Sequence, residues 1–202
     1  MHAKIGICQA STKPISCAAD LTAAMTGWCE GAKTGVWSRV TDEIERKFLV
    51  RGDAWHKAAD RGCLIEQAYL ALNEVVSVRI RIRDASLATL TIKSRAAALR
   101  RQEFEFSISV QDAGELMALC TGARIEKVRF KVPCGDLVWE IDVFQGVNSG
   151  LIIAEIELAR EDQVFEMPPW LGEEITGIAR YYNANLAVSP FSADGQTPKR
   201  QD

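Results

Sequence analysis

From Thr41 to Val188 the chain alternates apolar and polar residues with a period of two, as strands do when one face meets a core and the other does not. Glu43-Ile44-Glu45-Arg46-Lys47-Phe48-Leu49-Val50 sets Glu43, Glu45 and Lys47 on one face. Val75 to Arg83 repeats the device, with Arg79, Arg81 and Arg83 opposed to Val78, Ile80 and Ile82. Leu90 to Lys93 reads as a short strand and Arg101 to Ile108 as a longer one carrying Glu103 and Glu105. Lys127, Arg129 and Lys131 alternate with Val128, Phe130 and Val132, Glu140 and Asp142 leave one side of a strand starting near Leu137, and Glu155 and Glu157 alternate with Ile156 and Leu158. Short helices fill the gaps: one capped by Asp53 to about Arg61, one capped by Asp112 through Cys120 and ended by Gly122, and a last one capped by Thr176 through about Leu186. Seven or eight strands with such short helices predict an antiparallel sheet or barrel rather than a Rossmann-type fold.

The alternation bounds a single domain at 41–188. Residues 1–40, rich in Ala, Gly, Ser, Thr and Cys, form a leader expected to be flexible or to hold one short helix around Cys17 to Met25, and Met25 can also be read as a later start. Residues 189–202, with Pro190, Gly195 and Pro198, read as a disordered, solvated tail.

Composition narrows the class. The 202 residues are 48% apolar and 25% charged, with a net charge of −3, which excludes bulk disorder, a collagen and a globally basic nucleic-acid binder. Apolar runs of a few residues are too short to span a membrane. Six cysteines without a Cys-x-x-Cys pair, and only His2 and His56 as histidines, exclude zinc spacing. The absence of a continuous apolar N-terminal stretch predicts a reduced, cytoplasmic protein.

The distribution of charge adds the chemistry. Eight acids (Glu43, Glu45, Glu103, Glu105, Glu140, Asp142, Glu155 and Glu157) and nine bases (Lys47, Arg79, Arg81, Arg83, Lys93, Arg101, Lys127, Arg129 and Lys131) are sorted by strand. An open sheet with a solvated charged face fits that pattern, its charges neutralised across strands. So does a sheet rolled with its charged faces inward, giving a tunnel with an acidic and a basic wall. In the second case the carboxylates suit a hard divalent cation, Mg²⁺ or Mn²⁺, and the Arg and Lys forks suit phosphate oxygens.

Glu43-Ile44-Glu45-Arg46-Lys47 resembles the Glu-x-Glu-x-Lys signature of the CYTH domain, the triphosphate tunnel metalloenzyme superfamily. The resemblance continues in order through Arg81 and Arg83, Leu90 to Ser94, Arg101 to Glu105, Glu126 to Phe130, Glu140 to Phe144, Glu155 to Glu157 and Trp170 to Thr176, and is strongest to short bacterial members that hydrolyse inorganic tripolyphosphate. It implies an α+β fold: an antiparallel eight-stranded β-barrel forming a triphosphate tunnel, helices packed outside, and a C-terminal helix near one mouth. By position, Glu43, Glu45, Asp142, Glu155 and Glu157 would hold metal, with Glu103 and Glu105 less firmly matched. Lys47, Arg81, Arg83, Lys93, Arg129 and Arg180 would bind the small-molecule polyphosphate, and Lys127 would activate the attacking water. Arg79 joins the basic face without a matching family position. Ile178 stands where similar proteins carry an acid, which leaves Arg180 without its usual partner. The implied activity is metal-dependent hydrolysis of tripolyphosphate to pyrophosphate and phosphate. Adenylate cyclase, thiamine-triphosphatase and non-catalytic polyphosphate or nucleotide binding are the alternatives; Trp37-Ser38-Arg39-Val40, in place of a His-Phe pair, argues against the cyclase. No nucleic acid or membrane is implied as a partner, and homodimerisation is left open.

Overall fold

A computed structural model describes residues 44–94 and 103–191; the leader, Glu43, Arg101 and the tail beyond 191 lie outside the described residues. Nine strands follow one another as β1 (Ile44–Val50), β2 (Cys63–Leu72), β3 (Val76–Arg83), β4 (Leu87–Ser94), β5 (Glu103–Ile108), β6 (Ile125–Cys134), β7 (Leu137–Phe144), β8 (Ile152–Leu158) and β9 (Leu171–Glu174). They form one antiparallel sheet in the order β5-β4-β3-β2-β6-β7-β8-β1-β9. The expected antiparallel architecture is present with one strand more than eight. Among the described residues the ladder ends at β5 and β9, so no hydrogen-bonded pair closes the circle.

One face of this sheet is apolar and covered. Phe48, Val132, Trp139, Ile141, Ala154 and Ile156 pack with Trp55, Trp170 and Leu171 into the first core. Fully burying a side chain such as Ile156 stabilises the fold by about 1.5–3 kcal/mol. Farther along the same face, Ala68, Ile80, Ile82 and Ala88 meet Ala113 and Met117 of α1 (Val110–Ala118). A third cluster lies on the opposite, inner face at one end: Ile125, Phe144 and Ile153 with Ile175 and with Leu186 and Ala187 of α2 (Asn183–Val188), joined by Leu49 and Tyr69. Leu49 on β1 and Tyr69 on β2 are four strand steps apart, about 19 Å if the sheet were flat, so their shared cluster requires a rolled sheet. A bulge at Leu70, where the β2–β3 register slips between Tyr69 and Ala71, adds to the twist.

The helices are shorter than the sequence pattern predicts. The Asp53 segment makes only a 3₁₀ turn, Ala54–Ala58, because the next residues dock on β6 instead: the Asp60 N–H donates to the Lys131 carbonyl, and its carboxylate accepts from Lys131 N–H and Gly62 N–H, each bond 3.0 Å. For α1 the N-cap is Ser109, whose Oγ accepts from the Asp112 N–H at 3.0 Å; Asp112 lies inside the first turn, where its charge favours the helix dipole. Thr176 caps nothing, since its hydroxyl accepts from the Lys47 N–H at 3.0 Å and donates to Glu174 at 2.7 Å. Gly177 then takes φ +77° and a 3₁₀ turn at Ala179–Tyr181 intervenes, so α2 begins only at Asn183. The packed chain reaches Phe191, whose N–H donates to Asn148 Oδ1 at 2.8 Å and whose side chain joins the third cluster. No helix among the described residues is long and apolar enough to cross a membrane.

Candidate active site

Directly opposed residues in an antiparallel ladder share a face. Glu45 opposes Glu157 and Lys47 opposes Glu155 across β1–β8; Glu155 opposes Glu140 across β7–β8; Asp142 opposes Arg129 across β6–β7. Arg81 opposes Gln67 on β2 and Thr89 on β4, Arg79 opposes Thr91, and Lys93 opposes Glu103. One inner face therefore carries the charged residues of seven strands. Its basic strands β4, β3 and β6 flank the uncharged β2, its acidic strands β7 and β8 lie beside β1, and the two halves meet at the β6–β7 seam.

The seam is closed by ion pairs. Arg129 pairs with Glu140, bonds both oxygens of Asp142 (2.6 and 2.7 Å) and reaches Glu155 at 2.6 Å. Lys127, with no exposed surface, pairs with the equally buried Asp142, and its Nζ lies 3.4 Å from Asn183 Oδ1 at the start of α2. Lys47 bridges Glu155 and Glu45, the latter at 2.8 Å. Tertiary structure thus converts strand alternation into a network in which Glu155 serves both Lys47 and Arg129.

These contacts set the protonation states. Burial opposes charge on Glu155, but Arg129, Lys47 and Lys127 outweigh it and hold the carboxyl far below its ordinary range. Glu45 is pushed the other way, up to about 7, by burial and by the nearby Glu155, with Lys47 opposing. Burial lowers the Lys127 amine to about 8, aided by Arg129 and Arg81 and opposed by Asp142. Arg129 is stabilised as a cation despite burial by Asp142, Glu155 and Glu140. Burial, Arg79 and Arg129 bring Arg81 down to about 10, so it remains charged at neutral pH.

A cavity of about 280 Å³ is lined by Glu45, Glu140, Glu155, Glu157, Lys131 and Asp136. Among the described residues no group of three or more His, Cys, Asp or Glu side chains is arranged to hold a metal ion, so a hard cation bound there would draw the rest of its shell from phosphate oxygens and water. Glu45, whose charge is disfavoured by burial and by Glu155, is the acid on this cavity with most to gain from a cation, and Glu157 opposes it across the ladder.

Of the residues singled out by sequence, Glu45, Lys47, Lys127, Arg129, Asp142 and Glu155 form one connected group, with Glu157 beside it on the cavity. Arg81, Arg83 and Lys93 lie on the same face farther along, Lys93 paired with Glu103 at 2.6 Å. Glu43 lies outside the described residues. Arg180 stands apart: it is exposed in the 3₁₀ turn before α2, with its guanidinium 5.0 Å from the centre of the Tyr181 ring. Three residues of this face were not anticipated: Gln67 and Thr91, both without exposed surface, and Asn183. Being uncharged, the first two leave no mark in the charge alternation.

A model of the CYTH domain matches residues 41–187. An inorganic triphosphatase of Acetivibrio thermocellus is 43% identical over 150 residues, covering 74% of this chain and 95% of its own. One of Nitrosomonas europaea is 40% identical over 152 residues, covering 73% and 97%. The solved structure of an inorganic triphosphatase superposes with a TM-score of 0.58 at 34% identity, over 75% of this chain and 98% of that one.

Proposed function

The chain belongs to the CYTH-domain family, and from that premise we propose that it is a metal-dependent hydrolase of linear triphosphates, cleaving inorganic tripolyphosphate to pyrophosphate and phosphate. The observation that carries the reading is the meeting, on one rolled inner face, of an acidic cavity around Glu45, Glu155 and Glu157 with the buried Lys127 and the half-buried Lys47, Arg129 and Arg81. A polyanion and a hard cation together satisfy both halves.

In this scheme Mg²⁺ or Mn²⁺ would be held by carboxylates drawn from Glu43, Glu45, Asp142, Glu155 and Glu157. The cation, when bound, offsets phosphate charge and polarises the phosphoryl group. Lys47, Arg81, Arg83, Lys93 and Arg129 grip the phosphate chain, and the planar guanidinium forks fix its direction. Arg180, exposed in the turn before α2, would have to approach the chain from that end. Lys127 Nζ accepts a proton from the attacking water as the new P–O bond forms and the bond to the bridging oxygen breaks. The departing pyrophosphate keeps that electron pair against the basic strands. A lysine serves here because burial makes its neutral form accessible, whereas the Arg129 guanidinium never gives up its proton.

The cytoplasm is the proposed compartment; Cys63, Cys120 and Cys134 are free thiols, in keeping with a reducing environment. Phosphate release from tripolyphosphate, pyrophosphate, ATP and thiamine triphosphate, each with Mg²⁺ and with Mn²⁺, tests the function. Preferential turnover of tripolyphosphate is expected. A preference for ATP or thiamine triphosphate would transfer the activity to a substituted triphosphate, and no turnover with any substrate would leave only a binding module.

A further inference from the structure

Arg129 and Arg81 lie on the same inner face, on β6 and β3, with β2 between them. Their charges meet opposite surroundings. Arg129 is held by three carboxylates. Arg81 has no ion-pair partner among the described residues; its Nε and Nη2 both donate to one neutral atom, Gln67 Oε1, at 3.1 and 3.0 Å. Gln67 has no exposed surface, and its Nε2 donates onward to the Tyr69 hydroxyl at 3.4 Å. Next along β3, Arg79 gives Nη2 to the neutral Thr91 hydroxyl at 3.2 Å, and its buried Nε has no partner.

Holding a buried guanidinium ordinarily falls to a carboxylate, because an uncompensated charge out of water is costly. A glutamate at position 67 would match glutamine in size and reach, accept the same two N–H groups and cancel the charge. The amide accepts the same bonds and leaves the charge standing. Side-chain freedom is removed from Arg81 while its attraction for an incoming anion is kept.

We infer that Gln67 is a positioning and specificity residue: it fixes Arg81 without discharging it, and so reserves that guanidinium, with Arg79 beside it, for the oxyanions of the phosphate chain. The inference rests on the triphosphate reading and deepens it, because it makes β3 the wall where, among the described residues, no carboxylate bonds a guanidinium directly; Glu105 reaches Arg79 only through the Thr91 hydroxyl, which donates to it at 3.1 Å. At the β6–β7 seam the same anion must compete with Asp142, Glu140 and Glu155 for Arg129. On β3 it competes with an amide and a hydroxyl.

The test uses the full chain, tripolyphosphate as the probe, and two variants, Gln67→Glu and Gln67→Met. Calorimetry in chelator gives the affinity without turnover, thermal melting reports the fold, and the ¹⁵N spectrum reports the Arg81 Nε–H. Gln67→Glu is expected to melt at or above the parent temperature yet bind tripolyphosphate about 10- to 100-fold more weakly, the equivalent of one hydrogen-bonded charge. With metal present, its kcat/KM should fall chiefly through KM. Gln67→Met, which keeps the bulk and removes the acceptor, should lose the protected Nε–H signal and bind about tenfold more weakly. Parental affinity in Gln67→Glu overturns the inference. If that variant does not fold, parental affinity together with a retained Nε–H signal in Gln67→Met overturns it instead. Failure of the parent itself to bind or hydrolyse tripolyphosphate removes the functional reading, a result distinct from a parent that binds and a Gln67→Glu variant that binds equally well.

Discussion

Glu45→Gln should stabilise the protein while disabling it. In the folded chain the Glu45 carboxyl is raised from an ordinary 4.5 to about 7, first by burial and then by Glu155, against the pull of Lys47. Between those two values the folded state holds the proton more tightly than the unfolded state, so stability falls as pH rises through the window and the whole penalty stands at pH 8. At face value the shift corresponds to about 3 kcal/mol. Because 35% of the side chain is exposed, solvent screening reduces that to about 1 kcal/mol. Urea unfolding of parent and variant in chelator at pH 8 and pH 4 measures it. The variant is expected to be the more stable by about 1 kcal/mol at pH 8, and the gap to shrink toward zero at pH 4. A divalent cation, which takes the place of the missing proton, should raise the melting temperature of the parent more than that of the variant. Activity should move the other way, with kcat/KM falling on the order of 10² to 10⁴ for a lost metal carboxylate. A variant less stable than the parent at pH 8, or a gap of the same size at both pH values, would refute the account of Glu45 as a carboxylate kept in an unfavourable place for function.

Other outcomes follow from the same network. Lys127→Met should lower kcat with little change in KM, whereas Arg129→Ala should raise KM more strongly; rates measured across pH should show kcat/KM of the parent, which reports the free enzyme, rising through a midpoint near 8, and no such rise in Lys127→Met. Asp142→Asn removes the one carboxylate that pairs directly with the fully buried Lys127 among the described residues and should cost about 3 kcal/mol in chemical denaturation, within the range for breaking a buried pair. A chain trimmed to 41–191 should keep its melting temperature and turnover, while trimming to 188 removes the Phe191 bond to Asn148 and its contacts with the third cluster, a loss of about 1–2 kcal/mol measurable by urea titration.

The parts of this fold that were legible in the sequence are those where a charge marks every second residue. β3, with Arg79, Arg81 and Arg83 against Val78, Ile80 and Ile82, declares both its existence and its inner side. β2 does not: its inner side reads Cys63, Ile65, Gln67, Tyr69 and its outer side Leu64, Glu66, Ala68, Leu70, so polarity fails to alternate although the backbone does. β9, at four residues, is too short to show a period. The last helix misled because Thr176 is a proper capping residue by type, while its hydroxyl is engaged by the Lys47 backbone some 129 positions away. For the site, which side chains share a face was readable strand by strand, but which acid meets which base was not. Lys47 meets Glu155, 108 positions away, only because β1 returns to pair with β8, a register that no local pattern encodes.

That pairing changes what the two walls are for. Separate acidic and basic walls would each wait, uncompensated, for a cation or an anion. In the folded chain the strong contacts lie at the seam and between β8 and β1, so Arg129, Lys127 and Lys47 are already neutralised by Asp142, Glu140 and Glu155 at rest. An arriving phosphate chain can take these three cations only if the carboxylates find another positive partner, and a cation can take the carboxylates only if the bases find another negative one. Each ligand therefore makes room for the other, and by linkage the factor by which a divalent cation tightens triphosphate binding must equal the factor by which triphosphate tightens the cation. Arg81 and Arg79 stand outside that exchange, with neutral partners to displace, and can engage the anion before the seam has opened. The resting ion pairs thus preserve a folded, charge-balanced protein without ligands, and in the proposed scheme the β3 guanidiniums, which have no ion pair among the described residues, would supply the first attraction that allows those pairs to be exchanged.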